Sequence, residues 1–209
     1  RKIIKNKEMA FIEPCCCHKQ LPAHIQSDQI YFQTYGDVTL EQMLSSVAYM
    51  IDAPFILMLA GLPLEAEYLK IARHYFNRGW ISAFIMLYTP KYATTDSTFS
   101  KQLVEEVLGD YLDKVHITSM VAHTNQGQMT LFSNKIIHIQ GSFCNSLSGL
   151  HLSHFSSLLI DRSRANVIDA AISPTIGQLK LHKQIVIDGS ANADIHRILT
   201  RNYFLPTEI

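Results

Sequence analysis

Charge is scarce in this 209-residue chain and net charge is absent: 17% of residues are charged, and 18 basic side chains balance 18 acidic ones. No global field draws the protein to nucleic acid or to an anionic bilayer, so such a partner has to be bound by a local feature. Long hydrophobic runs are missing too. The most apolar window, Phe55 to Leu64, follows Asp52 and Pro54 and is about half the roughly 18 residues of a spanning helix. We expect a soluble, cytoplasmic chain, with peripheral membrane contact left open. The chain also lacks the spaced cysteines of a disulfide-stapled domain, since Cys15, Cys16 and Cys17 are consecutive and Cys144 stands alone. With His18 beside it, the triplet offers metal ligation, acylation or an inert, oxidisable patch. Adjacent side chains converge poorly on one ion and no second pair stands at ligand spacing, so the inert reading is preferred and neither metal nor cofactor is expected. Repeats and low-complexity tracts are absent, and the first residue is Arg, which leaves an upstream segment open.

What is present is apolar mass. At 47% hydrophobic residues the chain can bury a sizeable core as one compact domain. Residues 1–26 carry Arg1, Lys2, Lys5, Lys7, Pro14 and Pro22 without a period and read as a loosely packed lead-in. Residues 27–178 form the body, and 179–209 a C-terminal extension. In the body, a strand fits Gln29 to Gln33. Thr39 with Gln42 makes a capping box for a helix ending near Ile51. Phe55 to Leu59 has the length and composition of a strand covered on both faces. A helix from Leu64 to Asn77 ends where Gly79 suits a left-handed residue, and Trp80 to Tyr88 is a second buried strand. A helix over Phe99 to Leu108, a strand from Val115 to Val121, a strand from Phe155 to Ile160, and a helix from Arg162 stopped by Pro174 follow. Last come a strand over Gln184 to Asp188 and a short helix near Asp194 to Arg201. Apolar strands separated by crossover-length helices predict an α/β fold with a mixed, largely parallel sheet and helices on both faces.

The segment Met129 to Asn145, MTLFSNKIIHIQGSFCN, organises this pattern. It predicts a hairpin that turns at Ser133-Asn134-Lys135 and ends in a Gly141-Ser142 turn, with a polar loop from Asn145 to Ser153. A glycine after a buried strand lets backbone N–H groups approach an anion, and Ser142 and Asn145 add side-chain donors, so the three are candidates for binding phosphate. A plain turn is the alternative.

Together with the order of elements, this segment resembles the phospholipase D superfamily over roughly Gln29 to Ser173. The family's motif is His-x-Lys, four residues, Asp, then six residues to Gly-Ser-x-Asn. The resemblance implies a nucleophilic histidine, a lysine that neutralises phosphate, and a second histidine from another half or a partner subunit. Counting back from Gly141 sets Gly127 at the histidine position, Met129 at the lysine and Asn134 at the aspartate. Gly141 and Ser142 match, and the Asn comes one residue late at Asn145.

Without a nucleophile the family chemistry cannot run at this motif. Substitutes are His123, four residues upstream, and His182-Lys183 followed by Asp188, Ser190 and Asn192, although adjacent His and Lys on a strand point to opposite faces. His138 lies in the hairpin itself. Our leading expectation is a degenerate phospholipase D-like domain, a non-catalytic binding or scaffold module. It is implied to form a homodimer and to bind a phosphate-containing ligand, phospholipid or nucleic acid. An active phosphodiesterase using His123, His182 and Lys183 is the second expectation. An unrelated α/β protein of similar architecture is the third.

Overall fold

Two eight-residue runs, Phe55–Leu62 and Ile81–Tyr88, are apolar at nearly every position. Side chains alternate along a strand, so such runs present hydrophobic groups to both faces and need cover on both. The computed structural model describes residues 3–6, 9–12, 30–34, 54–90, 97–119, 127–133, 135–146, 149–160, 165–180 and 184–203. In it the two runs are parallel neighbours within one mixed sheet.

The described strands are β1 (Ile3–Asn6), β2 (Met9–Ile12), β3 (Ile30–Thr34), β4 (Phe55–Leu62), β5 (Ile81–Tyr88), β6 (Val115–Ser119), β7 (Gly127–Phe132), β8 (Ile136–Ser146), β9 (Gly149–Ile160) and β10 (Ile185–Ile187). The sheet runs β1-β2-β3-β9-β8-β7-β4-β5-β6-β10. It draws β1 and β2 from the lead-in 1–26 and β10 from the segment 179–209.

The expectations of an α/β chain and a mixed sheet hold, but a largely parallel sheet does not. Among the described strands, β4 with β5, β5 with β6 and β2 with β3 pair in parallel, and the other six neighbouring pairs are antiparallel. The reason lies in the connections: β7 to β8 and β8 to β9 are joined by links of only a few residues, and such links can join only antiparallel strands.

Helices α1 (Ala66–Asn77) and α2 (Ser97–Leu108) follow β4 and β5, and a 3-10 turn (Gly109–Lys114) leads into β6. α1 sets Tyr68, Leu69, Ala72 and Tyr75, and α2 sets Val104 and Leu108, against Phe55, Leu57 and Leu59 of β4. On the other face, α3 (Ala165–Lys180) and α4 (Ala193–Leu199) set Ile172, Ile176, Leu179, Ile195 and Ile198 against Ile56, Met58 and Ala60. Each large apolar side chain sealed in this way contributes about 1.5–3 kcal/mol relative to exposure. Gly79 takes the left-handed conformation expected after α1, with φ of 67°.

Pro174 does not stop a helix: α3 carries it inside and continues to Lys180. The lost hydrogen bond and ring clash cost about 3 kcal/mol. Both Pro174 and Ala170, the residue whose carbonyl loses its partner, are exposed, while Ile172, Ile176 and Leu179 are fully buried. Burial of that stripe outweighs the defect. The helix expected over Thr39 to Ile51 lies outside the described residues. Among the described residues no helix is long and apolar enough to cross a membrane.

At the far edge β10 pairs antiparallel with β6, and the chain then turns at Gly189 into α4. Gly189 is held against β6 so closely that an added Cβ would lie 2.3 Å from the Val115 carbonyl oxygen and 2.7 Å from Ile195 Cδ1. One of these obstacles is backbone in a paired strand and cannot yield cheaply. Gly189→Ala is expected to lower stability by about 2 kcal/mol or more, measured by urea denaturation; a midpoint within error of the parent would contradict this packing.

Candidate functional site

The β7–β8 hairpin turns where the sequence indicated: Ser133 N–H donates to the Lys135 carbonyl at 3.0 Å, and the Ser133 hydroxyl bridges the Lys135 backbone at 3.3 Å. From that turn the register follows, pairing Phe132 with Ile136, Thr130 with His138, Met129 with Ile139 and Gly127 with Gly141. β7 also pairs antiparallel with β4, with Gln128 opposite Ala60. The Gly127–Gly141 pair therefore lies toward the carboxyl ends of the parallel strands β4, β5 and β6, where open α/β sheets commonly bind ligands.

Gly141 and Ser142 do not form a turn. β8 continues through them to Ser146, and β9 begins at Gly149, so most of the expected loop from Asn145 to Ser153 is strand. Gly141 pairs with both Gly127 and Phe155, Ser142 with His154, and Asn145 with Leu150. The register shifts between Ser142 and Phe143. The extra residue is Ser153 of β9, since Ser142 faces His154 and Phe143 faces Leu152; a bulge of this kind increases the local twist before the ladder resumes. A ladder commits backbone donors that a turn would leave open. In place of the expected cage for phosphate, the same three residues stand on a paired strand, opposite a bulge in β9.

Beside it the hairpin core is closed. Met129 is 0% exposed and joins the α1–α2 side of the core with Leu59 and Ile139. Thr130 and His138 belong to the opposite face, opposite Met58 in the register, which packs on the α3–α4 side. The Thr130 hydroxyl and His138 Nδ1 lie 2.9 Å apart. One residue along the same face, Thr175 of α3 donates to Gln128 Oε1 at 2.7 Å. Burial pushes the His138 imidazole down to about 4, because the charged form would lose its hydration. His138 is 6% exposed, so it is a neutral, hydrogen-bonded core group closed to substrate.

His123, His182 and Lys183 lie outside the described residues, as does Asn134. Their neighbours in sequence are engaged locally. Asp188 Oδ1 accepts Ser190 N–H at 2.9 Å, and Asn192 Oδ1 accepts Asp194 N–H at 3.0 Å and Ile195 N–H at 3.3 Å as the cap of α4. Asn192 Nδ2 also donates to the Asp113 carbonyl at 3.2 Å. This loop sits at the amino end of β6, the opposite end of the sheet from Gly127 and Gly141. Reading 145–153 as loop concealed a different feature: the register sets His154 opposite Ser142 and His151 opposite Cys144. Among the described residues no group of three or more His, Cys, Asp and Glu could hold a metal ion. No protein-family model and no curated protein sequence matches the chain.

The buried imidazole has a pH signature. Its folded value of about 4 lies below the ordinary 6.5, so His138 contributes fully above about pH 6.5. Its contribution declines as pH falls from about 6.5 to about 4, because the unfolded chain takes up a proton that the folded chain does not. The gap corresponds to on the order of 3 kcal/mol. Denaturation across this range should show the decline in the parent, and the double variant Thr130→Val with His138→Leu should show less of it by about that amount. An unchanged slope in the double variant would exclude His138 as its source.

Proposed function

We propose that this protein is a phospholipase D-like domain that has lost its catalytic residues and serves as a non-catalytic binding or scaffold module. The observation that carries the reading is the direct pairing of Gly127 with Gly141 in the hairpin at the middle of the sheet. In the family motif, the position of Gly127 belongs to the histidine that attacks phosphorus. Glycine has no group to do so, and Met129 at the lysine position is sealed in the core, unable to neutralise a phosphate. The described order β4, α1, β5, α2, β6 ahead of the hairpin supports the reading. The ligand most in keeping with it is a phosphate-containing one bound near Gly141, Ser142 and Asn145, and the resemblance extends the proposal to a homodimer.

The reading is tested by incubating micromolar protein with a chromogenic phosphodiester, phosphatidylcholine vesicles and single-stranded DNA. No turnover above buffer is expected. Turnover that disappears in His123→Ala, His182→Ala or His154→Ala would replace the proposal with an active phosphodiesterase. Met129→Lys gives a second check, because a lysine at that position would bury an unpaired charge: we expect a loss of at least about 3 kcal/mol of stability and no gain of activity.

A further inference from the structure

The junction of β6 with the β10–α4 segment contains a histidine whose single nitrogen serves two exclusive roles. His116 on β6 is 2% exposed. Its Nδ1 accepts the Gly189 N–H at 3.3 Å and lies 3.5 Å from Asp188 Oδ1. The first contact needs a lone pair on Nδ1, whereas the second becomes a bond only when Nδ1 carries a proton. Both partners belong to the short connection that runs from β10 into α4, so the state of one ring atom bears directly on how that connection is fastened.

We propose that His116 is a pH-sensitive clasp: neutral, it holds the Gly189 amide and with it the β10–α4 edge against β6; protonated, it turns its bond to Asp188 and releases that amide. On α4, Asp194 and Arg197 are paired with one another at 2.8 Å. The 3-10 turn brings Asp113, whose carbonyl takes Asn192 Nδ2, and Lys114, which lies 5.9 Å from the Tyr111 ring centroid. β5 supplies Ile85, the uncharged register partner of His116, and β10 supplies Ile187. The Asp188 carboxylate, its side chain 54% exposed, accepts Ser190 N–H through the same oxygen that faces the ring.

The tight fit of Gly189 makes the exchange consequential. Gly189 is wedged between the Val115 carbonyl and Ile195, so it cannot swing to a new acceptor without moving the start of α4. Release of its N–H therefore takes the form of local opening at this edge, a sub-global event below the stability of the core.

The test uses the intact 15N-labelled protein, followed by NMR from about pH 8 to about pH 4, a range that spans histidine titration. His116 ring nitrogen shifts report Nδ1 protonation, and hydrogen exchange reports Gly189 protection relative to core amides such as those of Leu57 and Phe84. We expect Gly189 protection to fall by about tenfold with the midpoint of Nδ1 protonation while the core amides hold, the equivalent of losing one hydrogen bond. Asp188→Asn should move that midpoint to lower pH. His116→Gln, whose amide oxygen can accept at every pH, should flatten the dependence. Constant Gly189 protection through the ring titration would overturn the proposal, as would a ring that never protonates at Nδ1 over this range; both are read on the parent protein and do not depend on any variant folding.

Discussion

The structure depends on one constraint: β4 and β5 are apolar on both faces and have to be covered on both. Phe55, Leu57 and Leu59 point one way and Ile56, Met58 and Ala60 the other, all of them at or near zero exposure. A single layer of helices would leave half of these side chains in water, at roughly 25 cal/mol for each Å² left exposed. The two helix pairs, α1 with α2 and α3 with α4, answer this demand from opposite sides. The same demand explains why α3 tolerates Pro174. A helix that must deliver Ile172, Ile176 and Leu179 to one face is maintained by their burial even where one backbone bond is lost.

Inside that sandwich the hairpin β7–β8 is specified by more than hydrophobicity. A slip of one residue would carry His138 from Thr130 to an apolar neighbour and move each side chain to the other face. The bond between Thr130 and His138 therefore marks one register out of several, and its neighbour, Gln128 with Thr175, ties the hairpin to α3. These polar contacts add modest net stability, but they penalise alternatives strongly, because each alternative leaves a buried donor or acceptor unmatched.

The hairpin's glycines and the edge histidine belong to opposite ends of the sheet and to different kinds of chemistry. At the carboxyl ends of β4, β5 and β6, Gly127 faces Gly141 and offers backbone, without a side chain that can attack or carry charge. At the amino end of β6, His116, Asp188 and Gly189 form a compact polar junction that fastens the last elements of the described chain. Among the described side chains, His138 and His116 are both engaged in holding the fold.

Much of this was legible in the sequence. The buried strands, the helices between them, the left-handed Gly79 and the turn at Ser133 to Lys135 follow from side-chain period and from residues with restricted backbones. The turn even implied the pairing of Gly127 with Gly141, since both are equidistant from position 134. Other features were not legible, because they depend on partners distant in the chain. The antiparallel majority of the sheet reflects which strands lie side by side. The passage of β8 through Gly141 and Ser142 depends on β9 being there to pair with it, and the continuation past Pro174 depends on an apolar face waiting for α3. The neutral state of His138 and the double role of His116 Nδ1 arise from burial and from contacts 8 and 73 residues away. The sequence by itself determined which segments must be buried, because hydrophobicity and period are local properties. Only the tertiary structure decided what each polar side chain meets there, because desolvation and hydrogen bonding are set by neighbours that no local pattern names.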